Sequence, residues 1–127
     1  MSTMNVICSC QGRNLDKFIQ PHILLILSRR PMYGLEIINE LERMPMFSGS
    51  RPDPTGVYRY LKRMEADGQL SSEMKADMPG EKPKKTYSIT EEGKTCLASW
   101  AVSLGQYSVD IIGLVSEIEN VLDNENK

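Results

Sequence analysis

The sequence predicts a mainly α fold with one small β-hairpin and a long C-terminal helix. Three observations carry this reading. Apolar residues recur at helical spacing in three separate segments before residue 68, the stretch from 70 to 89 alternates loosely instead, and a heptad apolar repeat runs from Leu97 to Leu122. With 127 residues, the chain has room for one buried core plus one appended element.

Residues 1 to 14 are polar, lack apolar periodicity and contain Gly12, so they read as a flexible N-terminal arm. Asn14 is placed to cap a first helix that starts near Leu15. Pro21 would kink a helix interior, so Leu15, Phe18 and Ile19 are read as a short lead-in. The main helix then takes Pro21 in its first turn and buries Ile23, Leu24, Ile26 and Leu27. Pro31 and Gly34 mark a turn before a second helix, about Tyr33 to Met44, with an expected apolar stripe of Leu35, Ile37, Ile38 and Leu41. The segment PMFSGSRPDPTG reads as a loop. Asp53 before Pro54 caps a third helix, which Gly68 closes.

Leu70 to Lys75 and Lys85 to Ile89 flank a turn carrying Pro79, Gly80 and Pro83, the pattern of a hairpin with a charged tip. Thr90, followed by Glu91 and Glu92, opens the last helix with acids at the positive end of its dipole. Leu97, Ala101, Leu104, Ser108, Ile111, Val115, Ile118 and Leu122 step alternately by four and three, the seam of helices that pair lengthwise. Trp100, Tyr107, Leu114 and Val121 widen the stripe. About 30 helical residues reach roughly 45 Å, more than one small domain can cover, so a second copy is expected along residues 90 to 123. Gly105 and Gly113 lower helix propensity, which leaves a break near Gly105 open.

Three helices followed by a basic hairpin form the order of a winged helix-turn-helix, here spanning residues 15 to 89. Charge is segregated in the same sense. Residues 1 to 89 hold 13 Lys or Arg against 10 Asp or Glu, and residues 90 to 127 hold 2 against 7, which together give the net charge of −2. A basic head with an acidic tail is compatible with a polyanionic partner for the head. The longest apolar run, Ile23 to Leu27, is far short of the roughly 20 residues of a membrane span. The first ten residues show no secretory pattern, so a cytoplasmic location is expected.

The stretches ILLILSRRPMYGLEIINEL, DPTGVYRYLKRMEADGQL and KKTYSITEEGKTCLASW resemble the PadR family of bacterial transcription regulators, from about Leu15 to Leu104. The resemblance implies a homodimer that binds a double-stranded DNA operator with its third helix and its wing. It also implies repression, relieved by a small-molecule, metal or redox signal.

On that basis Thr55, Tyr58, Arg59 and Lys62 share or border one face of the reading helix. Arg59 is the choice for a base edge, because a guanidinium can bond guanine bidentately. Tyr33 and Tyr58 can donate to phosphates, and Lys62 and Arg63 suit the backbone. Lys82, Lys84 and Lys85 on the wing add salt-sensitive attraction. Tyr60, Leu61 and Met64 are assigned to the core. The alternative is a winged-helix module that binds protein rather than DNA.

Dimerisation is assigned to Leu97, Ala101, Leu104, Ile111, Val115, Ile118 and Leu122. Trp100 is the one tryptophan, an interface anchor that in some multidrug-sensing relatives would instead meet a planar ligand. Cys8 and Cys10 could hold a soft metal ion only if His22, Cys96 or a second subunit completed the shell. Otherwise they are spectator thiols, and no cofactor is expected. No phosphate-binding loop, dinucleotide glycine pattern or nucleophile motif occurs, so the chain is not read as an enzyme.

Overall fold

The computed structural model describes residues 16–48 and 50–126. The arm 1–14, with Cys8, Cys10 and the Asn14 cap, lies outside the described residues, as does Leu15 of the lead-in. A 3-10 turn, Asp16–Phe18, leads directly into α1, Ile19–Arg29, with Pro21 in its first turn. At that position a proline lacks only an amide that no helical carbonyl would have accepted. Ile23, Leu24, Ile26 and Leu27 are buried, as their spacing predicts.

A short strand, β1, Met32–Tyr33, follows, and the sequence reading missed it. It pairs antiparallel with the second strand of the hairpin, Met32 opposite Tyr87 and Tyr33 opposite Thr86. The sheet therefore has three strands and not the two of a lone hairpin. Two residues are too few to show an alternation, and this pairing exists only because the hairpin returns to meet them.

Helix α2, Gly34–Arg43, has Tyr33 as its cap residue, whose N–H donates to the Glu36 carboxylate at 3.2 Å. Its buried face is Gly34, Ile37, Ile38 and Leu41. Leu35, expected in that stripe, is 49% exposed. It sits two residues before Ile37, about 200° away around the helix. The following loop contains a second 3-10 turn, Pro45–Phe47, that buries Phe47 against the edge of the His22 ring, centroids 4.9 Å apart.

Helix α3, Pro54–Ala66, starts where its cap predicts, the Asp53 carboxylate accepting from the Gly56 N–H at 3.2 Å. It ends in a paired hydrogen-bond closure, Gly68 N–H to the Glu65 carbonyl and Gln69 N–H to the Met64 carbonyl. That closure needs the left-handed backbone of Gly68, φ +83°.

The wing is β2, Leu70–Lys75, and β3, Lys84–Ile89, in the order β1-β3-β2. Leu70 opposite Ile89 and Ser72 opposite Tyr87 set the inner face, where Leu70 and Tyr87 join the core. That core is one cluster uniting α1, α2, α3 and the sheet, with Cys96, Leu97 and Trp100 packed at its edge.

Helix α4, Glu91–Glu125, is a single unbroken helix of 35 residues, about 52 Å long, and runs straight through Gly105 and Gly113. Only its first third packs against the core, through Cys96, Leu97 and Trp100. Every residue from Gly105 to Asn126 is exposed, including Ile111 at 56%, Val115 at 48%, Ile118 at 49% and Leu122 at 52%. No helix of the described residues is long and apolar enough to cross a membrane.

Candidate nucleic-acid interface

Helix α3 is strictly two-sided. Val57, Leu61 and Met64 are buried with at most 1% exposure, which turns Thr55, Tyr58, Arg59, Lys62 and Arg63 outward together. Their spacing of three and four residues makes one continuous surface. Among the described residues, neither Arg59 nor Lys62 is in an ion pair, and Arg63 lies 5.9 Å over the Tyr60 ring. Tyr60 is half-buried against the core, as expected. The other basic groups of the neighbouring surface differ in this respect: Arg30 meets Glu36, Arg43 meets Glu40, and Arg51 meets Glu42. The outward cations of α3 thus remain available to an anion from outside.

Tyr58 owes its position to a feature the sequence reading did not assign. Its ring lies across the first residue of α2, and a Cβ on Gly34 would overlap it. The glycine is therefore a seat for an aromatic ring as well as the start of a helix. No local pattern signals this, because the contact joins residues 24 positions apart through the crossing of α2 and α3.

The wing lysines fall into three different situations. Lys82 stands in the exposed tip, between Gly80 at φ +86° and β3. The Lys84 ammonium lies 4.2 Å over the ring of Tyr33, so these two residues form one cationic-aromatic patch on the sheet. Lys85 points to the inner face and meets Glu65 of α3 at 3.3 Å. Glu65 also accepts from the Ser72 hydroxyl at 2.5 Å. That hydroxyl above all, with Lys85, holds the Glu65 carboxyl below its ordinary range against the opposing effect of burial. Glu65 in turn, with help from Tyr87, holds the Lys85 ammonium above its ordinary range. Lys85 is thereby a tie between wing and helix, and its charge is partly neutralised before any partner arrives. Glu65 and Ser72, absent from the sequence assignment, complete that tie.

Away from α3, Trp100 lines a groove of about 410 Å³ between the start of α1 and the middle of α4. Lys17 and Phe18 form one wall, and Tyr107, Asp110, Ile111 and Leu114 form the other. Ile111 belongs to the exposed heptad seam and Leu114 to the residues that widen it. His22 donates from Nδ1 to the Phe18 carbonyl at 2.7 Å and meets the Phe47 ring, and Cys96 packs at the core edge, so both residues named to complete a metal shell have structural roles. Among the described residues no three His, Cys, Asp or Glu side chains cluster as metal ligands do.

Comparison with known proteins converges on one family. The model of the transcriptional regulator PadR-like family matches residues 23–99, from within α1 through the wing to the first turns of α4. The PadR-like transcriptional regulator of Bacillus cereus is 26% identical with a TM-score of 0.68, covering 80% of this chain and 94% of its own. A PadR family regulator from Eggerthella lenta is 25% identical at a TM-score of 0.68, covering 91% and 97%. A Thermoplasma acidophilum protein is 30% identical at a TM-score of 0.61, covering 77% and 92%. A search of curated proteins gives no match. With a two-sided third helix, a basic wing and a family match over most of the chain, the protein belongs to the PadR-like family, whose members are DNA-binding transcriptional regulators and not enzymes.

Proposed function

We propose that the protein is a cytoplasmic, homodimeric repressor that occupies an operator with two half-sites and leaves it when an effector alters the dimer. The observation that carries this reading is the outward face of α3, where Arg59 and Lys62 stand free of ion pairs among the described residues. Arg59 reads a base edge in the major groove, and Lys62 and Arg63 hold flanking phosphates. Thr55 and Tyr58 border the same surface. Tyr33 with Lys84, and Lys82 at the wing tip, meet the neighbouring backbone. Lys85 adds least, being already held by Glu65.

Residues 90 to 123 supply the dimer contact through Leu97, Ala101, Leu104, Ile111, Val115, Ile118 and Leu122. Support comes from the exposure of the outer part of that stripe, since an apolar face of this length on one side of a helix needs a cover. A C2 pair of such helices places two reading heads on one face of a duplex. Trp100, in the groove beside the seam, is the residue we assign to an effector.

Two substitutions test the reading head. Arg59→Ala is expected to weaken operator binding by about 1 to 3 kcal/mol while thermal unfolding is unchanged. Titration of a footprinted operator duplex decides this, and unaltered affinity removes Arg59 from the interface. Gly34→Ala displaces the Tyr58 ring, whose far end is free to swing, so stability should change by less than about 1 kcal/mol. Operator affinity should nevertheless fall roughly fivefold through the lost phosphate contact. Equal affinity would mean that Tyr58 touches no DNA.

A further inference from the structure

The end of the reading helix and the beginning of α4 meet at one residue. Gly68 and Gln69 are the turn that closes α3, and Thr90 holds the carbonyls of both. Its Oγ1 donates to the Gly68 carbonyl at 2.6 Å, and its N–H donates to the Gln69 carbonyl at 3.0 Å. The same Oγ1 accepts from the Gly93 N–H at 3.0 Å, which makes Thr90 the cap of α4 as well. Gly93 is buried directly against the Gln69 carbonyl, with no room there for a Cβ. From the third side, the Gln20 side chain of α1 donates to Gln69 Oε1 at 2.8 Å. A single hydroxyl therefore bridges the Gly68 carbonyl of the reading turn and the Gly93 amide in the first turn of the long helix.

We propose that Thr90, acting on the Gly68–Gln69 turn, is the positioning residue that fixes the angle between reading helix and α4, and so the half-site spacing that the dimer accepts. The proposal rests on the dimeric operator-binding reading given above. The lengths involved make the angle decisive. A tilt of about 5° at the joint moves the end of a helix of about 52 Å by about 4.5 Å. One base pair occupies roughly 3.4 Å along the duplex. A joint that yields by a few degrees thus shifts the register of one head against the other by a full base pair. The capping bonds oppose that tilt because both stationary carbonyls lie on the head and the cap travels with α4.

The test uses the full-length protein and a duplex with paired half-sites that the wild type selects from a random library. The spacer is lengthened or shortened by one base pair, and a single half-site duplex serves as reference. Thr90→Val removes the hydroxyl with little change of volume. It should reduce the penalty for an altered spacer about fivefold, the loss expected for one well-made hydrogen bond. Single half-site affinity and dimer mass should stay at wild-type values. Thr90→Ser, which keeps the hydroxyl, should restore the wild-type spacing profile. Gly93→Ala pushes on the Gln69 carbonyl from the α4 side and should flatten or move the same profile. Wild-type spacing profiles in both Thr90→Val and Gly93→Ala overturn the proposal, as does a loss of single half-site affinity that parallels lost thermal stability. If the wild type selects no paired half-sites at all, the dimeric reading itself falls, and the positioning role with it.

Discussion

Replacing Ile111 and Ile118 together by Glu should convert the protein into a monomer that keeps its fold and loses operator affinity by about two to four orders of magnitude. Both residues lie on the outer part of α4, Ile111 at the rim of the groove shared with Lys17 and Phe18 and Ile118 two turns further out, and about half of each is exposed. In a single chain the two carboxylates would simply be solvated, so circular dichroism and the melting of the head should change little. In a paired seam the same carboxylates would face apolar neighbours and each other, and burying an unpaired charge costs several kcal/mol. Light scattering reads the mass directly. The drop in affinity follows because two linked heads bind with an effective concentration that one head lacks. A dimer that survives both substitutions would place the interface elsewhere.

Leu61→Ala should destabilise the protein by about 2 to 5 kcal/mol and lower its melting temperature by about 7 to 19 °C. Leu61 is completely buried on the inner side of the reading helix, in one cluster with Leu24, Ile37 and Leu41, and a truncated side chain leaves a void that these neighbours can only partly fill. At the very next residue, which faces outward, Lys62→Ala should stay within about 0.5 kcal/mol in stability. The contrast between adjacent residues checks the two-sidedness of α3 itself. A loss below about 1 kcal/mol for Leu61→Ala would mean that the helix does not pack as described.

Helix α3 was legible in the sequence almost to the residue because its signals are local. Asp53 and Pro54 fix the start, Gly68 fixes the end, and Leu61 and Met64 mark the inner face, to which the structure adds Val57. The length of α4 was legible for the same reason, and its Gly105 and Gly113 proved too weak to interrupt the helix. What escaped the sequence depends on residues brought together from a distance. Strand β1 has only two residues and exists through Tyr87 and Thr86. Phe47 is buried inside an aperiodic loop, against a histidine of α1. Leu35 illustrates the opposite error, an apolar residue counted into a stripe although its angle carries it to the surface. On the candidate surface, composition placed the cations on α3 and the wing but could not separate Lys85, tied to Glu65, from Lys82 in the open tip. Nor could it seat Tyr58 upon Gly34.

The exposed reach of α4 also gives the molecule an electrical orientation. From Thr95 to Asn126 the sequence carries Asp110, Glu117, Glu119, Asp123 and Glu125 and no lysine or arginine, and apart from Lys127 the lysines and arginines of the chain fall at or before Lys94. The protein is consequently a long dipole whose negative pole stands off from the domain at the end of a rod. Near the polyanionic surface of a duplex, that field turns the rod outward before any contact forms, and a molecule lying lengthwise along the DNA is repelled. On the operator-binding reading proposed above, encounters are thus biased toward the one approach in which α3 and the wing arrive first. Over the last Debye length, roughly 10 Å at 0.1 M salt, the bias is strongest, and it should fade as salt rises even where contacts to bases persist.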